Sequence, residues 1–380
     1  MTYSITYIYK RLTNQNQLIT KNQLKMKKVL HILTAMLTSS FAFAQDEAAT
    51  SPATTWGGSA DAYYKYDFAK HNNGLTSFTN SHNSFELGMA SINAGHTFGK
   101  ASVFVDLGFG KRAGEFSYNE TTDKDITAKF LIKQLFFTYQ VTDELKFVAG
   151  SFGTHIGYEV LDAIGNKNYS MSYAFSYGPF FNTGVKAQYT SGKFTAMFGI
   201  TNPTDFKSAV DAGSTQKTFI GQLGYIGETG SAYLNFTSGS ANPAFDENKT
   251  QFDLVASKTL SDSFALGFNA TYASATNDFD DTLDGDWFSV VGYLNYSFNP
   301  SLLLAYRMEY FDAKDAAPSL GTLTGSNVFA NTVSLNYKVG KLTIIPELRY
   351  DAASEDIFTD SDSNPTGGSF FGLIATTYSF

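Results

Sequence analysis

From about Ala53 to its end the chain alternates apolar and polar residues with a period of two, and no helical period persists. Successive strand side chains point to opposite faces, so such runs predict strands with one apolar and one polar face. Leu302, Leu304, Tyr306, Met308 and Tyr310 share a face, and Arg307 and Glu309 take the other. Leu342, Ile344, Leu348 and Tyr350 oppose Thr343, Glu347, Arg349 and Asp351, with Ile345 out of pattern. Phe264, Leu266, Phe268, Ala270 and Tyr272 oppose Gly267, Asn269 and Thr271. Phe252, Leu254 and Ala256 oppose Gln251, Asp253 and Ser257, with Val255 out of pattern. Each run spans about 9–11 residues, the length a tilted strand needs to cross a hydrocarbon layer.

The connections between these runs alternate in length. Tight links fall at Gly99-Lys100, Thr142-Asp143, Ser191-Gly192, Thr229-Gly230, Ser261-Asp262, Asn299-Pro300 and Gly340-Lys341. Most use Gly, Asn, Asp or Ser, the residues that short turns favour. Longer polar segments lie between them, at 69–81, 119–126, 153–174, 203–216, 239–248, 274–285, 313–325 and 352–367. A soluble β-sandwich alternates too, but has no reason to sort its loops by length. The expectation is an all-β fold: a transmembrane antiparallel β-barrel of about sixteen strands, with short periplasmic turns and long extracellular loops.

The N-terminal region reads differently. Lys27 and Lys28 form a basic start after Met26, Val29–Leu37 is a short apolar run, and Ala42-Phe43-Ala44 is a small-x-small cleavage pattern. Residues 26–44 are therefore expected to be a signal peptide, too short to span a bilayer. Residues 1–25 fit no signal and are expected to be an over-extended gene start. Residues 45–54 would form a short periplasmic segment, and 55–380 the barrel. Removing residues 1–44 takes away six Lys/Arg and no Asp/Glu, so the net charge falls from −8 to −14. That acidity speaks against nucleic acid as a partner. The chain has 35 Phe, 23 Tyr and 32 Gly but no Cys. Aromatics suit a pleated sheet, and a disulfide framework or thiolate metal site is excluded.

The stretch 147–186 carries a family resemblance. It opens Phe147-Val148-Ala149-Gly150-Ser151-Phe152-Gly153-Thr154-His155-Ile156-Gly157-Tyr158-Glu159. It continues through Asn168-Tyr169-Ser170, Ser172-Tyr173, Gly178-Pro179-Phe180 and Thr183-Gly184-Val185-Lys186. This resembles the OmpL-like β-barrel porin-2 family, with a similar general layout over most of 55–380. The resemblance implies a barrel in the bacterial outer membrane that passes small solutes without a cofactor. By analogy with general porins, whose third loop often folds inward, Tyr158, Glu159, Asn166, Asn168 and Tyr169 become constriction candidates. Equally, Gly157, Asn166 and Tyr169 could serve only to shape the loop and pack it on the inner wall.

About sixteen strands enclose a space wide enough for water, and inward ionisable groups would then set ion preference. The candidates are Asp106, Lys146, Lys186, Asp253, Arg307, Glu309, Lys338, Glu347, Arg349 and Asp351. Both signs are present, so strong charge selectivity is not forced. A cross-strand ion network and a solute-orienting ladder fit this set equally. His71, His82, His96 and His155 show no zinc-ligand spacing, and no nucleophile elbow or phosphate loop is present. A barrel hydrolase would need His155 beside Ser151 or Ser170. Asp360, Asp362 and Asn364 have a calcium-loop spacing, but Pro365 and Phe371 stand where the turn glycine and the closing Glu belong. Asp278, Asp280, Asp281, Asp284 and Asp286 read as a solvated surface loop, with weak divalent-ion bridging to lipopolysaccharide as a further expectation.

The last strand ends in Phe380, with Tyr378, Thr376 and Ile374 on its face, which resembles the signal that barrel-assembly machinery recognises. Outer-membrane lipid and that machinery are the expected partners, and a homo-oligomer is compatible with the sequence. The first expectation is a non-enzymatic porin for passive diffusion of small hydrophilic solutes. The alternative is an adhesin or receptor that acts through its surface loops.

Overall fold

The computed structural model describes residues 53–117, 132–208, 216–242, 247–277 and 280–380. The expected extension 1–25, signal 26–44 and residues 45–52 lie outside the described residues, as does Asp278. Ala53 and Thr54 already belong to the first strand, two residues before the expected barrel start.

Sixteen strands close into one antiparallel barrel. The first eight are β1 (Ala53–Asp67), β2 (Ser84–Phe98), β3 (Ala101–Phe109), β4 (Ile132–Gln140), β5 (Leu145–Gly153), β6 (Phe181–Ser191), β7 (Phe194–Thr201) and β8 (Thr218–Ile226). There follow β9 (Gly230–Asn242), β10 (Glu247–Thr259), β11 (Phe264–Asn277), β12 (Gly285–Asn299), β13 (Leu302–Asp312), β14 (Asn327–Val339), β15 (Leu342–Ala353) and β18 (Gly368–Ser379). A two-stranded hairpin, β16 (Phe358–Thr359) and β17 (Pro365–Thr366), decorates the last long loop. The barrel strands follow one another in chain order, and β18 returns to β1 from Ser59 opposite Ser379 to Asp67 opposite Phe371. Closure pairs the backbone groups of the wall and leaves no sheet edge, the condition for a sheet inside lipid.

Alternation sets the two faces. Leu223, Leu234, Leu254, Leu294, Leu348 and Ile374 are exposed on the outside. Exposed rings flank this band at both ends: Phe98, Phe194, Tyr225 and Phe298 near the tight turns, and Phe85, Phe219, Phe288 and Phe370 near the long loops. Such aromatic girdles mark the two interfaces of a membrane barrel. All the tight turns expected from sequence join strands, and both barrel termini lie at their end. One long loop is corrected: 239–248 is mostly strand, because β9 and β10 pair out to Asn242 opposite Glu247.

The lumen is filled where the β5–β6 loop, 154–180, enters it. Ser172 caps a helical turn at Tyr173–Ser176 by accepting the Phe175 amide. Tyr169, Met171 and Tyr173 are fully buried. The β1–β2 loop and a short helix, Lys111–Phe116, fold over it, and Phe78, Phe116, Met171, Phe175, Phe180 and Phe181 form one cluster. Ile345, the apolar exception in β15, faces this interior and packs with Ala163, Tyr169 and Phe371. An apolar side chain is stable on the inner face there because protein, not water, lies opposite.

An arginine on the outer face at mid-height should cost about 2–4 kcal/mol. Leu254→Arg should therefore lower the temperature at which the compact, unboiled gel band is lost, compared with the wild type.

Candidate functional site: the loop inside the barrel

The β5–β6 loop is tied to the wall by polar contacts around most of its circumference. The Gly157 amide donates to Asp253 at 3.0 Å. The Tyr158 ring stacks on Tyr293 with centroids 4.2 Å apart. It fits because β11 has Gly267 there, where a Cβ would stand 2.5 Å from the ring. Asn168 donates to Ser334, and Asp162 accepts from Lys133, each at 2.7 Å. Asn166 closes the loop on itself through the Val160 backbone.

The strongest anchoring comes from β13 to β15. Arg307 and Arg349 stand opposite Thr332 from its two sides, while Glu309 and Asp351 flank Ala330. Arg307 pairs with Glu159 of the loop at 2.5 Å, and Arg349 with Asp351 at 2.7 Å. That leaves Glu309 and Glu347 with no ion pair among the described residues. Both are buried, and both take backbone N–H groups instead. Tyr173 and Ala174 donate to Glu309 at 2.9 and 2.7 Å. Tyr169 and Ser170 donate to Glu347 at 2.6 and 3.1 Å. The arginines in turn donate to loop carbonyls, Arg307 to Ser170 and Arg349 to Met171. A buried carboxylate without a cation is costly unless such charge-assisted bonds replace its water.

The tyrosine hydroxyls complete the pattern. Burial raises the pKa of Tyr169 and Tyr173, so each stays protonated and donates, to Asp61 at 2.5 Å and Asp351 at 2.8 Å.

The structure gathers Tyr158, Glu159, Asn168, Tyr169, Asp253, Arg307, Glu309, Glu347, Arg349 and Asp351 around this loop. Asp106 is buried against Lys133 at 2.9 Å, which also holds Asp162. Lys186 lies elsewhere on the wall, with its ammonium 3.9 Å from the Phe152 ring centroid, on β6 beside the β5 strand that carries Lys146. Lys338 does not join the ladder between β13 and β15: it sits at the exposed turn end of β14 and lines a cavity of about 520 Å³ there. A second turn-side cavity, about 490 Å³, reaches Tyr158, Glu159, Asn166 and Asn168.

Sequence reasoning missed Asp61, Lys133, Arg112 and Asp162. The alternation of β1 places Asp61 inward and could have found it. Lys133, which strict alternation with Leu135, Phe137 and Tyr139 would turn outward, is brought inward by a register shift opposite Asp106 and Leu107. Asp162 sits in a loop and Arg112 in the short helix Lys111–Phe116, where a period of two does not apply. His155 does not pair with a serine: its Nε2 bonds the Phe236 carbonyl at 3.0 Å, and Ser170 is buried against Glu347. In the acidic loops Asp360 accepts the amides of Asp362 and Asn364, and Asp280 accepts from Thr282. These carboxylates cap turns, and among the described residues no group of three His, Asp or Glu could hold a metal.

Comparison with known proteins places this architecture. The sequence profile of the OmpL-like β-barrel porin-2 family matches residues 53–380. The chain belongs to this family. It is a porin of the bacterial outer membrane, a passive route for small hydrophilic solutes. Similar folds include the anion-selective porin from Comamonas acidovorans, with TM-score 0.60, 11% identity, and coverage of 87% of this chain and 100% of that one. OmpT of Vibrio cholerae gives 0.56 and 12%, covering 88% and 99%, and has a trimer form. The channel DcaP of Acinetobacter baumannii gives 0.55 and 12%, covering 87% and 97%. At these identities the likeness is one of fold. No curated protein matches the chain in sequence.

His155 supplies a pH test. Burial, with Lys186 nearby, pushes it from the ordinary 6.5 down to about 4, although Asp253 and the Phe236 carbonyl oppose the shift. The folded state therefore resists a proton that the unfolded chain accepts. Stability is unaffected above pH 6.5 and falls as the pH drops from about 6.5 towards 4. Melting of His155→Gln should lose part of this acid sensitivity, and an unchanged acid profile would contradict the assignment.

Proposed function

We propose that the β5–β6 loop sets the permeability of this porin, and that the wall charges of β13 to β15 act as its latch. The observation that carries this is the capture of four consecutive-turn amides, those of Tyr169, Ser170, Tyr173 and Ala174, by Glu347 and Glu309. On this reading Tyr158, Glu159, Asn166, Asn168 and Tyr169 define the constriction by fixing the loop. Arg307, Glu309, Glu347, Arg349 and Asp351 hold it rather than contact solutes directly. Lys146 and Lys186, with Asp106, contribute the field along the remaining wall, while Asp253 holds the loop through the Gly157 amide. Passage is passive and involves no bond-making, so the protein is not an enzyme.

An adhesin or receptor acting through outer loops has weaker support, since the β1–β2 and β5–β6 loops turn inward and bury Phe78, Met171 and Tyr173. The reading extends to biogenesis: residues 26–44 direct export, and the strand ending in Phe380 is read by the assembly machinery. Phe380 is paired through its backbone with Gly58, so its recognition would precede closure. A homotrimer in outer-membrane lipid is the expected assembly.

Planar bilayers test the latch. Wild-type protein should give small ohmic steps, and Glu309→Ala/Glu347→Ala should give steps several times larger because the loop is released. Leaving buried amides without an acceptor costs about 1–3 kcal/mol each, so the double variant should also melt earlier. A barrel silent in both forms would contradict the channel, and unchanged steps would contradict the latch.

A further inference from the structure

On the long-loop side a separate space holds polar groups that bind nothing. A cavity of about 600 Å³ lies between β9, β10 and the loop segments 74–80 and 176–180. Gln251, on β10, lines it and is fully buried, yet neither atom of its carboxamide has a hydrogen-bond partner among the described residues. Asn80 lines the same cavity from the β1–β2 loop, and its Oδ1 is likewise unpaired among the described residues. Buried amide atoms are seldom left so, because each unmade bond costs about 1–3 kcal/mol. Gln251 lies beside Gly178, whose Cβ position is 3.7 Å from Nε2, an ordinary van der Waals distance.

The remaining lining narrows the chemistry. Tyr177, Leu75 and Leu320 supply apolar surface. Among charged groups Glu115, Asp205 and Glu247 outnumber Lys249. Several of these already hold the loops: Lys249 donates to the Tyr177 carbonyl, Glu115 accepts the Phe78 amide, and Asp205 accepts those of Phe180 and Phe181. An anion would meet an acidic rim. The recognition capacity left over is neutral, one amide donor group and two amide oxygens beside an apolar wall.

We propose that this cavity is a capture site for a neutral polyhydroxylated solute, a mono- or disaccharide, at the outer mouth of the porin. Hydroxyl groups donate and accept at once, so one sugar ring satisfies Gln251 Nε2, Gln251 Oε1 and Asn80 Oδ1 together. Its C–H faces lie against Tyr177 and Leu75. The volume falls in the range of about 300–1,000 Å³ typical of small-molecule sites. The site rests on the channel reading only for its place on the solute's route; binding itself needs no conduction.

Trp287 reports on the site, because the Lys249 ammonium lies 5.5 Å from its ring centroid. The chain has 2 tryptophans, and the other, Trp56, is exposed on the outer face and removed by Trp56→Phe. The refolded Trp56→Phe protein, titrated with glucose and with maltose, should show a saturable change in Trp287 fluorescence, and gluconate should not. Adding Gln251→Leu keeps the bulk but deletes both amide groups, and should weaken apparent affinity about tenfold, the loss of two neutral hydrogen bonds. If Gln251→Leu fails to give the compact gel band, Asn80→Ala should weaken binding about threefold, the loss of one such bond. No saturable response to either sugar in folded protein overturns the site, as does equal binding of gluconate or unchanged affinity in a folded Gln251→Leu. Sugar binding without conductance would leave the site standing and sink the channel reading; conductance without sugar binding does the reverse.

Discussion

Two carboxylates inside the barrel, Glu309 and Glu347, have no ion-pair partner among the described residues and depend on the backbone of an inserted loop. The buried ladder on β13 to β15 and its loop hold two guanidiniums, Arg307 and Arg349, and four carboxylates, Glu159, Glu309, Glu347 and Asp351. Glu159 and Asp351 are matched by arginines. The remaining pair would be untenable in a low-dielectric interior without the four loop amides. The dependence is mutual, since those amides sit in a segment with no sheet partner and would themselves be unsatisfied. Loop and wall thus stabilise each other.

This explains several local choices. Gly267 is bare so that the Tyr158 ring can lie against β11. Ile345 and Leu373 face inward because Ala163 and Tyr169 cover them. A sheet of sixteen strands encloses more space than its own side chains fill, and here much of that space at mid-height is taken by 154–180. What remains open lies on either side of the loop, towards the turns and towards the outer mouth. Permeability is then a property of how firmly the loop is held, more than of the ring of wall charges taken alone.

The wall was legible in the sequence and the lumen was not. A period of two is imposed by strand geometry, so the faces of β10, β11, β13 and β15 followed from residue order, and Gly, Asn and Asp marked the tight turns. Loop length is a weaker signal: 239–248 is polar, yet its ends pair as strand, since a strand that rises beyond lipid need not be apolar. The same reasoning could have turned Asp61 inward, but not Lys133, which a register shift between β3 and β4 turns inward against the alternation. It could not have told that Arg307 and Glu347 would meet loop backbone, because a carbonyl or amide partner leaves no trace in side-chain pattern. Lys338 shares the inward face of β14 with Thr332 but stands at the turn end, beyond the reach of the ladder.

The most direct measurement is hydrogen exchange at the amides of Tyr169, Ser170, Tyr173 and Ala174 in the folded barrel. Bound to buried carboxylates, they should exchange as slowly as amides in the middle of β13 and β14. Exchange as fast as in the exposed turn at 360–364 would mean that the loop is not held by the wall, and the account would fail.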